Sequence, residues 1–409
     1  MAIEGASRDR IRDQGSGIVD RGPGTAGDTA PKRWPVWIRQ LILLVVVVTL
    51  AILYVKKVER RMPDYEVYRR AAVRAAHAEP LYRSSDGHYQ FKYLPAFAVA
   101  TLPVGFGPDR VVRACWFTGT LLLLGFLLRT SVDVLPERRR TRAALIATTF
   151  VLMTKFYAHE IELGQVNILM AALVVAAVAQ MRAGREMAAG LLIAVAIVVK
   201  PYAVLLMPYL AARRRFGSLA GAGIGLGIAL LLPIVAYGFS GNLTLLGEWW
   251  RTVTETTAPN LMDFNNVSAA SVFARWLGPG QTASMLAAGL VLILLGAAGA
   301  VFLMRGRVAV PEPLEVGLLL TMMPLISPQG WDYVFLLSTL LVMVLVNYAR
   351  ELPSVVRVVT TIALCLIGFS IWDIVGRAIY QRFMHMSMIT VCYLVVIGAA
   401  VVLRQRRIA

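Results

Sequence analysis

Acidic residues are scarce in this chain. Asp and Glu number 24 against 41 Lys and Arg, and all charged residues together make up 16% of the sequence, where soluble domains carry about 25%. Cysteine is scarcer still. Cys115, Cys365 and Cys392 are odd in number, and each lies in an apolar run. Without paired spacing they give neither a disulfide framework nor a metal site. No acidic cluster of the kind that holds a divalent metal is visible either. Also missing are polar stretches long enough to fold as a soluble domain, so length alone is no guide to domain number.

What fills the chain is hydrocarbon. Hydrophobic residues make up 58%, and mean hydropathy is +0.66. Many apolar runs approach the roughly 20 residues that a helix needs to cross about 30 Å of lipid. The expectation is an all-α polytopic membrane protein. A net charge of +17 and a pI near 10.2 would suit nucleic acid, but Lys and Arg cluster in short loops between apolar runs, as the positive-inside rule requires. The expected partner is membrane lipid, with no nucleic acid. Residues 1–33, rich in Gly, Arg and Asp, cannot bury a core and are expected to form a disordered cytoplasmic tail. They lack the layout of a cleaved signal peptide. Residues 34–409 then form one transmembrane domain, beginning with a retained anchor.

Helices are expected at about 36–55, 111–129, 143–158, 166–182, 188–199, 202–212, 217–239, 283–304, 314–326, 332–348, 356–373 and 387–403. The intervening loops alternate in basicity. Arg138–Arg140, Arg182 with Arg185, Arg213–Arg215, Arg305 with Arg307, Arg350 with Arg357, and Arg404 to Arg407 belong to one set. Loops 159–165, 240–282 and 327–331 belong to the other. Placing the basic set in the cytoplasm puts both termini inside. The first outer loop, about 56–110, breaks the pattern with seven basic residues between Lys56 and Arg74, and its charge is read as functional, toward lipid phosphate. The run 91–108, with Pro95, Pro103 and Pro108, reads as re-entrant or interfacial. Helices 188–199 and 202–212, broken at Lys200-Pro201, form a shallow hairpin with Lys200 at its tip. A charge at such a break often marks a substrate site.

On this topology the unusual polar groups collect on the non-cytoplasmic face. Asp64, Glu66 and Tyr68 lie just past the first helix. His159, Glu160, Glu162, Gln165 and Asn167 form the second outer turn, and Lys200 the hairpin tip. Asp263 and Arg275 lie in a long outer loop, and Trp331 with Asp332 in another outer turn. Each has a plainer reading. Asp64, following Pro63, suits a helix N-cap, Gln165 and Asn167 suit the cap of the next helix, Lys200 suits snorkelling, and the tryptophans suit interface anchors. The run 64–77 sets Tyr65, Tyr68 and Ala72 on one stripe and Arg69, Arg70 and Arg74 elsewhere, as for a helix lying on the membrane surface.

In order and spacing, several segments resemble glycosyltransferase family 87, the polyprenyl-phosphate-mannose-dependent α-mannosyltransferases of the GT-C superfamily. They are Asp64-Tyr65-Glu66-Val67-Tyr68, Phe91-Lys92-Tyr93-Leu94-Pro95, Gly164-Gln165-Val166-Asn167, Lys200-Pro201 and Ser327-Pro328-Gln329-Gly330-Trp331. The likeness spans about residues 60–335. It departs where the family often has His soon after that tryptophan, since Asp332 and Tyr333 follow here. Relatives within the family transfer arabinofuranose, so the sugar stays open.

The resemblance implies a GT-C fold of about 12 membrane helices in the inner membrane, with interfacial helices in the first loop. It implies inverting transfer of a sugar, mannose first, from a polyprenyl phosphate to a glycolipid or glycan acceptor, with no cofactor or metal. Asp64 falls at the base position. Lys200, then Arg275, would offset the leaving phosphate. Gln165 and Asn167 would hold sugar hydroxyls, with Tyr68, His159, Glu162, Trp331 and Asp332 as further substrate contacts. A lipid or sugar-lipid flippase and an envelope scaffold are the rival readings.

Overall fold

The computed structural model describes residues 44–45, 48–59, 61–256 and 260–409. The expected tail and much of the expected first helix lie outside them. The chain divides into two units at Ile52 and Leu53. In the first, residues 48–52 are helical; all that follows concerns the second.

Among the described residues the fold is helical throughout, and the only strand-like pairing is an isolated antiparallel bridge between Asn266 and Trp331. Helices Asp109–Asp133, Gln281–Leu303 and Met388–Gln405 are long and apolar enough to cross a bilayer. The first has 25 residues, about 37 Å at 1.5 Å per residue. The Gln281–Leu303 helix exposes Leu292, Ile293 and Leu295, an apolar face suited to lipid. Several other expected spans are shorter helices, such as Asn167–Arg182 and Ser354–Phe369. Inside the bundle Glu312–Ile326 buries nearly every side chain, so its length is set by neighbouring helices rather than by bilayer thickness.

Close approach is built from small residues. A side chain on Gly190 would collide with the Ser218 carbonyl, and one on Gly221 with the Met187 carbonyl. Helices Glu186–Val199 and Phe216–Leu231 therefore pack backbone to backbone, as small residues permit in membranes. Lys200 ends the first of these in extended geometry (φ −145°, ψ 104°), the conformation that a following proline imposes. A 3-10 turn over Pro201–Leu205 and the helix Leu206–Ala212 follow, so the expected break is found.

Three segments differ from expectation. The helix expected to end at 158 runs from Arg142 to Leu163 and stops at Gly164, which is left-handed (φ 73°). His159, Glu160 and Glu162 are thus helical rather than part of a turn. The helix expected over 217–239 ends at Leu231, and the chain bends by 92° into a second helix, Ile234–Glu255. Pro233 cannot continue the hydrogen-bond ladder, whereas hydropathy runs through it unbroken. The long loop expected at 240–282 accordingly holds most of that helix and a further one, Ala269–Leu277. Helix Arg377–His385 was not expected at all.

The first loop forms the helix Pro63–Ala76 and short turns at Pro95–Ala100 and Leu102–Gly105. No helix of spanning length lies within residues 91–108. Tyr65, Tyr68 and Ala72 are buried within the protein, not laid against lipid. Much of the loop's positive charge is used internally. Arg69 pairs with Asp109 at 2.9 Å, Arg83 with Glu79 at 2.7 Å, and Arg74 donates to Asp86 at 2.8 Å.

Candidate active site

The site begins with a helix end. Leu163 is followed by a Schellman-type stop in which Gln165 N–H donates to Glu160 O (3.1 Å) and Gly164 N–H to Ile161 O (3.2 Å). A Cβ on Gly164 would lie 2.8 Å from Tyr65 Cβ and 2.9 Å from Met62 Cε, so only glycine lets the Pro63–Ala76 helix start directly on this turn. The Trp116 indole donates to Gly164 O at 3.0 Å from the Asp109–Asp133 helix. Three elements are thereby locked where Asp64 enters.

Gln165 extends from this turn into a buried network. Tyr68 Oη donates to Gln165 Oε1 at 2.9 Å, and Tyr93 Oη lies 2.7 Å from Tyr68 Oη and 3.2 Å from Gln165 Oε1. Lys200 Nζ donates to Tyr93 Oη at 2.9 Å and sits 4.7 Å from the centre of that ring. An ammonium over an aromatic face is favourable in itself, and here it is also fixed in direction. Gln165 Nε2 reaches Tyr333 Oη at 3.5 Å.

A further set of bonds runs through Glu160, which is fully buried. Asn167 Nδ2 donates to Glu160 Oε2 at 2.9 Å, Ile168 N–H to Glu160 Oε1 at 3.0 Å, and Tyr202 Oη to Asn167 Oδ1 at 2.6 Å. The N-terminus of Asn167–Arg182 is thus capped by a carboxylate from the preceding helix, which also suits its dipole. The plainer reading as caps holds in part for Gln165, whose Oε1 also accepts from Val166 N–H at 3.2 Å, and not for Asn167, whose side chain bonds Glu160 and Tyr202 instead.

Asp64 is the second residue of the Pro63–Ala76 helix, with Met62 at the N-cap. It is half-buried and within electrostatic reach of Tyr68, Lys92 and Tyr333. Burial pushes the Tyr68 phenol well up, and the adjoining Tyr93 hydroxyl and the Asp64 charge push it the same way. Tyr68 is therefore a neutral donor. Burial lowers Lys92, against the pull of Asp64. Lys92 was missed as a site residue, although a lysine set between Phe91 and Tyr93 was its signal.

The remaining expected residues divide. Asp332 is fully buried, 3.5 Å from Lys155 Nζ and 3.8 Å from His159 Nδ1, and neither of its oxygens accepts a hydrogen bond. His159 meets the Tyr333 ring edge-on at 5.1 Å, which places this group beside the Gln165 network. Trp331 pairs with Asn266 in the isolated bridge. Glu162 is exposed and 3.8 Å from Lys57; its neighbour Glu160 takes the buried place. Arg275 donates to the carbonyls of Asp263 and Asn266 at 2.8 Å, and to Ser271 and Ser387. It clamps a loop rather than joining the network.

The family model of glycosyltransferase family 87 matches residues 91–328, more than half of the chain. The chain belongs to glycosyltransferase family 87. It is therefore a glycosyltransferase, and its apolar helices are those of a membrane enzyme. Tyr93, Glu160, Gln165, Asn167 and Lys200 lie within the matched span. Asp64, Tyr68, Trp331 and Asp332 lie outside it; contacts with Gln165, Asn266 and Lys155 tie the last three to it, and Asp64 is within electrostatic reach of Lys92. No curated protein matches the enzyme.

Proposed function

We propose that this enzyme transfers a sugar, mannose first, from a polyprenyl phosphate to a glycolipid or glycan acceptor on the non-cytoplasmic face of the inner membrane, with both termini in the cytoplasm. The observation that carries the reading is the buried Tyr68–Tyr93–Gln165–Lys200 network. It brings an oriented cation and several hydroxyl and amide groups to the start of the helix that holds Asp64.

In this reading the acceptor oxygen attacks the anomeric carbon from the face opposite the phosphate. Its proton passes to the Asp64 carboxylate, the bond from anomeric carbon to phosphate oxygen breaks, and the electron pair leaves with the polyprenyl phosphate. The anomeric centre inverts. The phosphate leaves as a stable anion, so one base suffices, unlike the carboxylate pair of most glycosidases. Lys200 offsets the growing negative charge, as fixed cations do in a site closed to water. Gln165 holds a sugar hydroxyl, and Tyr68 and Asn167, whose polar atoms are bonded within the protein, keep the network around it in place.

The test is transfer of labelled sugar from synthetic polyprenyl-phosphate mannose by purified Asp64→Asn protein. Loss of the base should slow turnover by about 10²–10⁴-fold with folding intact. Near wild-type turnover would remove Asp64 from the mechanism, and a wild-type protein that moves lipid-linked sugar across vesicles without transferring it would favour the flippase.

A further inference from the structure

Beside the network lies an apolar groove of about 470 Å³, within the roughly 300–1,000 Å³ of small-ligand sites. Val112, Cys115, Gly119 and Leu123 line it from the Asp109–Asp133 helix. Ile168 lines the facing side, and Gln165 supplies a polar atom to the wall. From Val112 to Leu123 the helix rises about 16 Å. Cys115 is exposed, so the groove opens along the flank of a helix long and apolar enough to cross the membrane.

We propose that this groove seats the isoprenoid chain of the donor, an inference that rests on the donor reading above. The first isoprene unit is bonded directly to a phosphate oxygen, so the chain's seat must start beside the group that meets the phosphate. Gln165 fulfils this. It lines the groove, and its Oε1 accepts from Tyr93, the same hydroxyl to which Lys200 donates. Trp116 does the same from the other wall, since it lines the groove and holds the Gly164 carbonyl. The remaining wall is apolar apart from Thr120, whose hydroxyl is spent on the Trp116 carbonyl, and so suits a methyl-branched chain rather than a headgroup. Gly119 marks the space directly, because a Cβ built there meets no atom within 4 Å.

Gly119→Trp fills the groove without displacing packed atoms and removes a helix-weakening glycine. The measurement is KM in the full-length enzyme for a long-chain polyprenyl-phosphate sugar and for the same sugar phosphate on a single isoprene unit. The preference for the long chain should fall about tenfold, the equivalent of roughly two buried methylenes. Equal change for both donors, or change in neither, overturns the proposal. So does a change that follows the acyl length of the acceptor instead, which would assign the groove to the acceptor lipid.

A second measurement separates this inference from the donor reading. In full-length protein carrying Cys365→Ser and Cys392→Ala, polyprenyl phosphate should slow maleimide labelling of Cys115 at least threefold over the same amount of phospholipid. Intact transfer without that protection overturns the groove and leaves the donor reading standing. Protection without transfer in the wild type does the reverse.

Discussion

The two ends of the Glu186–Val199 helix carry charge in opposite ways. At its start Glu186, Glu312 and Glu315 meet Arg213, Arg215 and Arg404. Arg213 is 2.7 Å from Glu312, Arg215 is 2.7 Å from Glu186 and 3.0 Å from Glu312, and Arg404 is 3.5 Å from Glu315. Three carboxylates face three guanidiniums, and their fields cancel within the protein. At the helix's other end, about 21 Å away, Lys200 is bonded to a phenol, and Glu160 to an amide and a backbone N–H. Neutral groups take their hydrogen bonds, so the two opposite charges are held in fixed directions, within electrostatic reach of each other but without the direct ion pairs of the first end. A cancelled network can lock helices together. One whose ammonium is held by a phenol rather than by a carboxylate leaves that cation able to meet a charged ligand, and that difference separates scaffold from site.

The sharpest way to break the comparison is at the cancelled end. Arg404 is fully buried and also donates to Pro311 O at 3.1 Å. Arg404→Met leaves buried Glu315 with only Arg213 at 3.7 Å and the Tyr209 hydroxyl at 3.1 Å, which should destabilise the enzyme by about 3 kcal/mol, the lower end for a broken buried pair, while turnover per folded molecule stays near wild type. Thermal unfolding in detergent together with specific activity reads both. Stability near wild type would show that this end does not lock the bundle.

The converse should hold for Lys200→Ala. Its ammonium has a phenol for a partner, so folding should change little, whereas the KM for donor should rise about 10–100-fold, the usual worth of a hydrogen bond to a charged group. Unchanged donor kinetics with a large loss of stability would exchange the roles of the two ends.

How much of this was legible follows from where the signals lie. The break at Lys200 was readable because proline acts locally on the residue before it. The end of the Arg142–Leu163 helix was misplaced because His159 and Glu160 look like loop residues, whereas the stop signal was Gly164. Choosing between Glu160 and Glu162 needed the helix face. Lys155 and His159 share a stripe at i, i+4 and turn to Asp332, and Glu160 follows next round the helix toward Asn167. Lys155 itself was signalled by its place in an apolar run but went unread. Arg275 was chosen for its charge, and nothing local showed that loop carbonyls would absorb its donors. The 92° bend depends on a proline whose effect on direction is set by packing.

The smallest effect concerns the fastening of the first loop, where a cancelled pair serves the site itself. Arg74 donates to both Asp86 oxygens, and both side chains are largely buried. That bond joins the Pro63–Ala76 helix to the turn at Ser84–Tyr89, and so steadies the element that carries Asp64. The hydrogen bond from Arg74 lowers the Asp86 carboxyl below its ordinary value of 3.8, more than burial raises it. A carboxyl with a depressed folded pKa adds stability that is fully present above the unfolded value and is lost as pH falls through the folded one. Asp86→Asn should therefore cost about 1 kcal/mol at neutral pH, and the gap from wild type should close below pH 3.8. Hydrogen exchange across residues 63–89 at both pH values measures this. A gap that persists in acid would mean that the shape of the side chain, not its charge, holds the loop, and the likeness between this pair and the Glu315–Arg404 lock would end there.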